Sequence, residues 1–208
     1  RFAAMGRQDA TLDRRWVFPV DYDLPQLMDS FDKLRMLSDP ESVYVQNAVY
    51  AMGRAMDDEI ISAMFTTTAK TGVAGATNTT FLSGNVVGLN TGGTNSDLNV
   101  PKLRAGKKLL MEHEVDLDSD PIYCAIDADN HDALLNEIQI TSADFNGNEK
   151  PVLQDGKVTR FLGINFIHCE RLATQALGTD DQTTSTSSKQ IPMWAKSGMH
   201  LGLWSDIQ

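Results

Sequence analysis

Three closely spaced carboxylates are the first candidates for chemistry in this sequence. Asp116, Asp118 and Asp120 alternate along the chain, as they do at the opening of a calcium-binding loop. Such a loop also needs a glycine at its sixth position and a long glutamate at its twelfth. Those positions hold Pro121 and Asp127. We therefore interpret the run as a solvated acidic turn and expect no metal there.

The other candidates for catalysis lack the spacing that catalysis needs. His168 and Cys169 are neighbours in an apolar, strand-like run, so their side chains would point to opposite faces and cannot form a nucleophile–base pair. The four histidines do not stand at the spacing of zinc ligands, and the sequence has no P-loop and no glycine-rich dinucleotide motif. We predict no catalytic residue, no metal and no cofactor.

A long amphipathic helix is the strongest structural signal in the sequence. Residues 39–65 carry apolar side chains at intervals of three and four, which predicts one buried face. The opposite side carries Asp57, Asp58 and Glu59, which we interpret as a solvated or inter-subunit face rather than a catalytic cluster. Gly53 predicts a close contact or a bend. The apolar stripe consists of Val45, Val49, Met52, Met56, Ile60 and Met64.

Shorter elements surround this helix. Residues 66–100 are nearly uncharged and rich in Thr, Gly and Asn, with strand-like pieces at 79–82 and 86–89. This mixture predicts an α+β protein. The remaining predicted elements are a short helix at 23–37, a helix with a basic face at 101–114, a buried strand at 121–126, a short helix at 128–138, a strand–turn–strand at 156–168, a polar loop at 174–190 and strand character at 191–204.

Composition limits the classes of function. The chain has 208 residues, 41% of them apolar, and a formal charge of −10, so it can fill a core and as a whole should repel nucleic acid. No apolar run approaches the roughly 20 residues that span a bilayer. Cys124 and Cys169 fit buried thiols better than a disulfide framework. We expect the native protein to extend beyond one or both ends.

The order of the motifs carries a family resemblance. A basic extended arm and a short Asp-rich helix precede Asp39-Pro40, the long helix with GRAMDDEII at 53–61, and TAKTG at 68–72. The strand-like PIYCAI and LGINFI follow at 121–126 and 162–167, and WAKSGM stands at 194–199. This order resembles the major capsid proteins of tailed bacteriophages, which have the Hong Kong 97-type fold.

The resemblance implies an architecture. It would consist of an extended arm and short helix at 1–37, a peripheral domain at 38–100 with a spine helix at about 39–65 and a β segment, and an axial α/β domain at 101–208. The family's final return strand is not evident. No membrane association is implied.

The resemblance also implies a function and its partners. The chain would self-assemble through pentamers and hexamers into an icosahedral shell around the double-stranded DNA genome of a tailed phage or prophage. Assembly would take place in the bacterial cytoplasm, and the product would be the virion capsid. Scaffolding, portal or decoration proteins are further candidate partners, and the packaged DNA would be enclosed without specific binding.

Charge predicts one contact between subunits, in which the basic arm of one copy reaches the acidic face of the long helix in a neighbour. Two alternatives stay open: a bacterial nanocompartment shell protein, which shares the fold, and an enzyme with an unrecognised site. A carbohydrate-binding module is disfavoured by the long helix. The candidate contact residues are Arg7, Arg14 and Arg15 in the arm and Asp57, Asp58 and Glu59 on the helix.

Overall fold

The computed structural model describes residues 15–25, 40–65, 69–79, 81–92, 97–141, 156–175 and 188–203. It contains both helices and sheets, so the predicted α+β class is confirmed. The helices are α1 (Pro40–Phe65), α2 (Val100–Glu112), α3 (Ala128–Leu135) and α4 (Ile138–Thr141). The strands are β1 (Ala69–Thr71), β2 (Thr77–Thr79), β3 (Ile122–Ile126), β4 (Arg160–Phe161), β5 (Ile164–His168), β6 (Thr174–Gln175), β7 (Ser188–Lys189) and β8 (Met193–Ala195).

A mixed four-stranded sheet, in the order β4-β5-β3-β8, is the centre of the fold. β3 and β5 are parallel, with Ile122 opposite Ile164 and Ile126 opposite His168. Parallel strands need a long crossover connection, and α3 and α4 lie in it. β8 pairs antiparallel with β3, and β4 pairs antiparallel with β5. β1 with β2, and β6 with β7, form two further two-stranded sheets.

The turn between β4 and β5 has an unusual backbone. Leu162 and Gly163 both have positive φ, of 53° and 78°. Two central residues with positive φ are what a tight two-residue hairpin turn requires. Leucine rarely adopts this conformation, and here the Lys107 ammonium donates a hydrogen bond to the Leu162 carbonyl oxygen at 2.8 Å. Helix α2 is therefore tied to the turn of this hairpin.

One hydrophobic core joins α2, α3 and α4 to the sheet. β3 is apolar on both faces, as expected of a strand covered on both sides. Burial raises the pKa of the Cys124 thiol in this strand to about 12, so the thiol stays protonated at neutral pH. The buried members of the cluster are Leu98, Val100, Leu103, Ile122, Cys124, Ile126, Leu134, Ile140, Val158 and Ile164.

Side-chain caps position the two helices that enter this core. Asn99 caps α2 by accepting a hydrogen bond from the Lys102 N–H at 2.9 Å. Asp127 caps α3 by accepting one from the Asn130 N–H at 3.1 Å. The buried Asn130 amide donates to the Asp127 carboxylate at 2.5 Å and accepts from the Leu98 N–H at 3.0 Å. Asn130 thereby links the segment before α2 to the start of α3.

The segments before Leu98 lie outside this core. Among the described residues there, only Gly75 is buried. The predicted helix at 39–65 is confirmed, but the prediction of one buried face is wrong in its first half, where Val45 is 62% and Val49 is 64% exposed. The second half of α1 makes contacts with two other segments. Glu59 contacts the arm, and Asp58 contacts the core unit, by which we mean the chain from Leu98 onward. The half-buried members of the stripe are Met52, Met56, Ile60 and Met64.

Two further expectations need correction. Of the two alternatives at Gly53, the close contact is absent, since no atom from another part of the described chain lies within 4 Å of where a Cβ would sit. The bend stays a prediction. Of the strand-like piece expected at 79–82, Thr79 ends β2, Thr80 lies outside the described residues, and Phe81 and Leu82 are not in a strand. The strand expected at 86–89 does not form. A strand needs a paired neighbour as well as β-propensity, and Gly72 and Gly75, with positive φ, turn the chain back earlier.

Some expectations fall on residues outside the described ranges. They include most of the short helix at 23–37, the polar loop between β6 and β7, and Trp204 in the last strand-like run. Of that run, only Met193–Ala195 is a strand. Among the described helices, none is both long and apolar enough to cross a membrane.

We predict that Leu103→Ala destabilises the protein by about 2–5 kcal/mol, because Leu103 is 1% exposed and its removal leaves a cavity. Urea unfolding measures the change. The matched control is Leu82→Ala at a side chain that is 67% exposed, and it should shift the free energy of unfolding by less than about 0.5 kcal/mol. Equal effects of the two substitutions would contradict the placement of the core.

We predict that Asn130→Ala costs about 1–3 kcal/mol, because it leaves the buried N–H of Leu98 without its acceptor. Asn136→Ala is the matched control, since Asn136 is exposed and bonds only its neighbour Asp132 at 3.4 Å through its side-chain amide. Thermal unfolding of the two variants side by side measures the difference. A loss at residue 136 as large as that at residue 130 would refute the role of the buried amide.

Candidate functional site

The structure describes part of the predicted charge contact. Arg7 and Arg14 lie outside the described residues, and Arg15 is an exposed residue at the start of the described arm, 15–25. Asp57 is exposed, and Asp58 and Glu59 are half-buried, in the second half of α1. The structure therefore shows what surrounds the acidic group, but it does not test the contact with a second copy.

The arm is anchored on the small sheet of its own chain. The backbone N–H of Trp16 donates to the Lys70 carbonyl oxygen at 2.8 Å, and its indole N–H donates to the Gly72 carbonyl oxygen at 2.9 Å. The ring of Phe18 lies 3.0 Å from where a Cβ would sit on Gly75, so only glycine fits there without a shift. The arm thus lies against β1 and the turn that follows it.

Two neighbouring carboxylates of α1 bind two different segments. The Arg171 guanidinium, in the loop after β5, holds Asp58 with two hydrogen bonds, the Nε–Oδ1 bond being 2.6 Å. The Tyr22 hydroxyl of the arm donates a hydrogen bond to the Glu59 carboxylate. We call these four residues the junction, because the arm, the long helix and the core unit meet there.

Charge at the junction shifts the pKa values of its members. The hydrogen bonds from Arg171 lower the pKa of Asp58, and the same bonds raise the pKa of Arg171. The hydrogen bond to Glu59 raises the pKa of Tyr22, and the charges of Glu59 and Asp58 add to this. Arg171 and Asp58 are 43% and 46% exposed, so water and salt screen their attraction. The junction is a set of weak, solvent-accessible ties.

The junction is not arranged for catalysis. In a catalytic carboxylate pair, both groups face one reacting centre. Asp58 and Glu59 instead bind separate partners. Their geometry suits the positioning of chain segments.

The other sequence candidates are also used structurally. Asp116 accepts hydrogen bonds from the Asp118 N–H at 3.1 Å and the Ser119 hydroxyl at 2.6 Å, which lower the pKa of Asp116. Asp120 accepts from the Ser197 N–H at 3.1 Å, which ties this acidic turn to the segment after β8. Within the described ranges, no group of three or more His, Cys, Asp or Glu side chains is placed to hold a metal.

His168 and Cys169 contact different groups. His168 Nε2 lies 2.7 Å from Glu170 Oε1, on the exposed side. The Cys169 N–H donates to the Ile126 carbonyl oxygen at 2.9 Å, and its side chain is half-buried. Neither of these contacts joins the two side chains.

Exposed apolar side chains form the largest unexplained feature of the surface. Most of the large hydrophobic residues exposed in the described chain precede Leu98. Contiguous exposed apolar surface commonly marks a site of protein association. We define the apolar face of α1 as the side of its first half that carries the exposed residues Val45 and Val49, which are one helical turn apart.

Sequence reasoning missed two residues of the junction. Arg171 is 113 positions from Asp58, and no spacing rule connects them. Tyr22 lies in a run that alternates along the arm, but nothing in that pattern identifies Glu59 as its acceptor. Both contacts depend on tertiary structure alone.

We predict that Asp58→Asn and Arg171→Gln each lower the free energy of unfolding at low salt. The double variant should lose less than the sum of the two single losses, because both substitutions break the same ion pair. Urea unfolding followed by circular dichroism measures this cycle. In 1 M salt the coupling should vanish. Asp57→Asn, at the exposed carboxylate next door, should couple with Arg171→Gln much more weakly, because Asp57 acts on Arg171 through its charge alone, whereas Asp58 forms the ion pair.

The same pair fixes the sign of a pH dependence. Since the folded-state pKa of Asp58 is lowered, its contribution is present above the ordinary aspartate pKa of about 3.9 and is lost as the pH falls through the lower folded value. The difference in stability between the parent and Asp58→Asn should therefore shrink on acidification. A difference that grows as the pH falls would contradict the ion pair.

Comparison with known proteins yields one match. The family model described as "Phage capsid protein" matches residues 1–208, which is the whole chain. No curated protein and no solved structure matches the chain significantly. The family is structural rather than enzymatic, and its members are components of the virion capsid. The chain therefore belongs to the phage capsid protein family.

Proposed function

We propose that the protein is the major capsid protein of a tailed bacteriophage or prophage, with a Hong Kong 97-type fold. It self-assembles through pentamers and hexamers into an icosahedral shell that encloses double-stranded DNA, in the cytoplasm of the bacterial host. The family match supports a capsid role, and the order of motifs along the sequence supports the fold.

One observation supports self-assembly. The described segments before Leu98 leave much of their apolar surface exposed. Burying apolar surface is worth roughly 25 cal/mol per Å². Subunits of an obligate assembly expose such surface until their neighbours cover it. The apolar face of α1, with Val45 and Val49 more than half exposed, is the largest helical part of this surface.

The domain division follows from the same proposal. Residues 1–37 are the arm and short helix, and residues 38–100 are the peripheral domain with α1 as its spine helix. Residues 101–208 are the axial domain. The core supports an independent unit in the second half of the chain, although it also takes in Leu98 and Val100, just before that boundary.

The contact between the basic arm and the acidic helix face belongs to this proposal as well. Arg7, Arg14 and Arg15 of one copy would approach the acidic residues of a neighbour, of which Asp57 is the most exposed. Scaffolding, portal and decoration proteins are further partners that a shell of this kind would have. The nanocompartment alternative shares the fold, and the family match favours the phage capsid over it.

We predict that the purified chain forms closed shells, seen by sedimentation and electron microscopy, and that Val45→Lys/Val49→Lys abolishes them. The two charges would have to be buried against a neighbour, which is unfavourable. The core lies elsewhere, so the melting temperature of the unassembled subunit should change little.

Gln46→Lys/Asn47→Lys is the matched control. It adds the same charge to exposed polar positions of the same helix without removing apolar surface. It should assemble at close to the parent yield. A parent chain that stays monomeric at high concentration would refute the proposed function.

A further inference from the structure

Positive charge on this acidic chain is concentrated on one helix. The chain has a formal charge of −10, yet α2 carries four basic side chains and one acidic one, Glu112. Lys102 is partly buried and reaches back to the Asp97 carbonyl oxygen at 3.1 Å. The other three, Arg104, Lys107 and Lys108, form what we call the basic face of α2.

The orientation of α2 directs this face outward. Leu103 is buried in the core, and the Cβ position of Gly106 lies 3.1 Å from the side chain of Met193 on β8, so this side of the helix faces the sheet. Arg104 and Lys108 are one turn apart on the outer side and are exposed. Met111, also exposed, lies on the same side of the helix, beside Arg104 in the helical projection.

The described contacts within the subunit do little to offset the positive charge of the basic face. Lys107 donates to the Leu162 carbonyl oxygen, which is uncharged. Lys108 approaches Glu112 at 3.3 Å, but both side chains are more than half exposed, and exposed pairs one turn apart interact weakly. Arg160 adds another positive charge to the hairpin that Lys107 contacts.

The opposite charge is concentrated beside the junction. Tyr22 bonds Glu59 of α1, and Asp21 and Asp23, on either side of Tyr22 in the arm, are both exposed. Asp57 is exposed on the helix two residues before Glu59. We call Asp21, Asp23, Asp57 and Glu59 the acidic patch. Arg171 forms its ion pair with Asp58, and its single charge also acts on Asp57, so it offsets only part of the negative charge here.

We propose that the acidic patch of one subunit docks on the basic face of α2 in the next subunit. This inference rests on the proposed function and names one of its contacts. It differs from the arm contact, because its positive partner is the outer side of α2 and not Arg7, Arg14 or Arg15.

Symmetry favours a second copy as the occupant. Rings of five or six subunits require head-to-tail contacts, in which two different patches of the same chain meet. The acidic patch and the basic face are such a pair, since they lie on different elements and no ion pair joins them within the described chain. Duplex DNA would gain only a few phosphate contacts against a net charge of −10.

Charge reversal tests the contact. Arg104→Glu/Lys108→Glu reverses the basic face, and Asp21→Lys/Asp57→Lys reverses the acidic patch, without touching the residues of the junction. Each double variant should lower the assembled fraction at least tenfold, and the chain that carries all four substitutions should recover assembly. All four positions are exposed, so circular dichroism and melting of the subunits should stay close to the parent.

Lys196→Glu is the matched control for the single variant Arg104→Glu. Lys196 is an exposed lysine directly after β8, at the edge of the sheet opposite the hairpin, and its reversal changes the net charge equally. The control should assemble like the parent.

Four outcomes would overturn the contact. The chain with all four substitutions could stay unassembled, or the basic-face variant could assemble normally while losing the parent's binding to duplex DNA. If Arg15→Glu blocked assembly while both double variants assembled normally, the basic partner in the contact would be the arm and not the basic face of α2. A parent chain that forms no shell would overturn both this contact and the proposed function.

Discussion

The rest of this structure depends on one constraint, which is that the hydrophobic core lies within residues 98–195. The described hydrophobic side chains that are fully removed from water all lie in this stretch, between Leu98 and Ala195. They hold α2, α3 and α4 against the sheet and fix the register of β3 and β5. The segments before Leu98 have no comparable core among their described residues, so their position depends on other interactions.

Those other interactions are polar, few and exposed. Trp16 ties the arm to the small sheet, Tyr22 ties it to α1, and Arg171 ties α1 to the core unit. Exposed ion pairs and hydrogen bonds of this kind are individually weak, since water competes for the same groups. Weak ties can hold α1 in one orientation in the free subunit and still yield to the larger apolar area that a neighbour would cover. This is the physical link between the fold and a capsid role.

The sequence predicts the core unit well, because its signals are local. The apolar run at 121–126, the strand–turn–strand at 156–168 and the helix at 101–114 are each indicated by neighbouring residues, and the structure has each of these elements within a few residues of the predicted position. The turn itself falls at Leu162-Gly163, where the sequence predicts a strand. The first half of the chain was less predictable. A stripe such as Val45 and Val49 shows that a face is apolar, but not whether the same chain or another one covers it. The partner of Asp58 could not be predicted either, because Arg171 is distant in sequence.

The central claim is that neighbouring subunits, and not the chain itself, bury the apolar face of α1. Hydrogen–deuterium exchange of free and assembled protein tests it most directly. In the free subunit the amides of β3 and β5 should exchange slowly and those of residues 43–50 quickly. On assembly, residues 43–50 should become protected while β3 and β5 change little. Equal protection of residues 43–50 in free subunits and in shells would contradict the account.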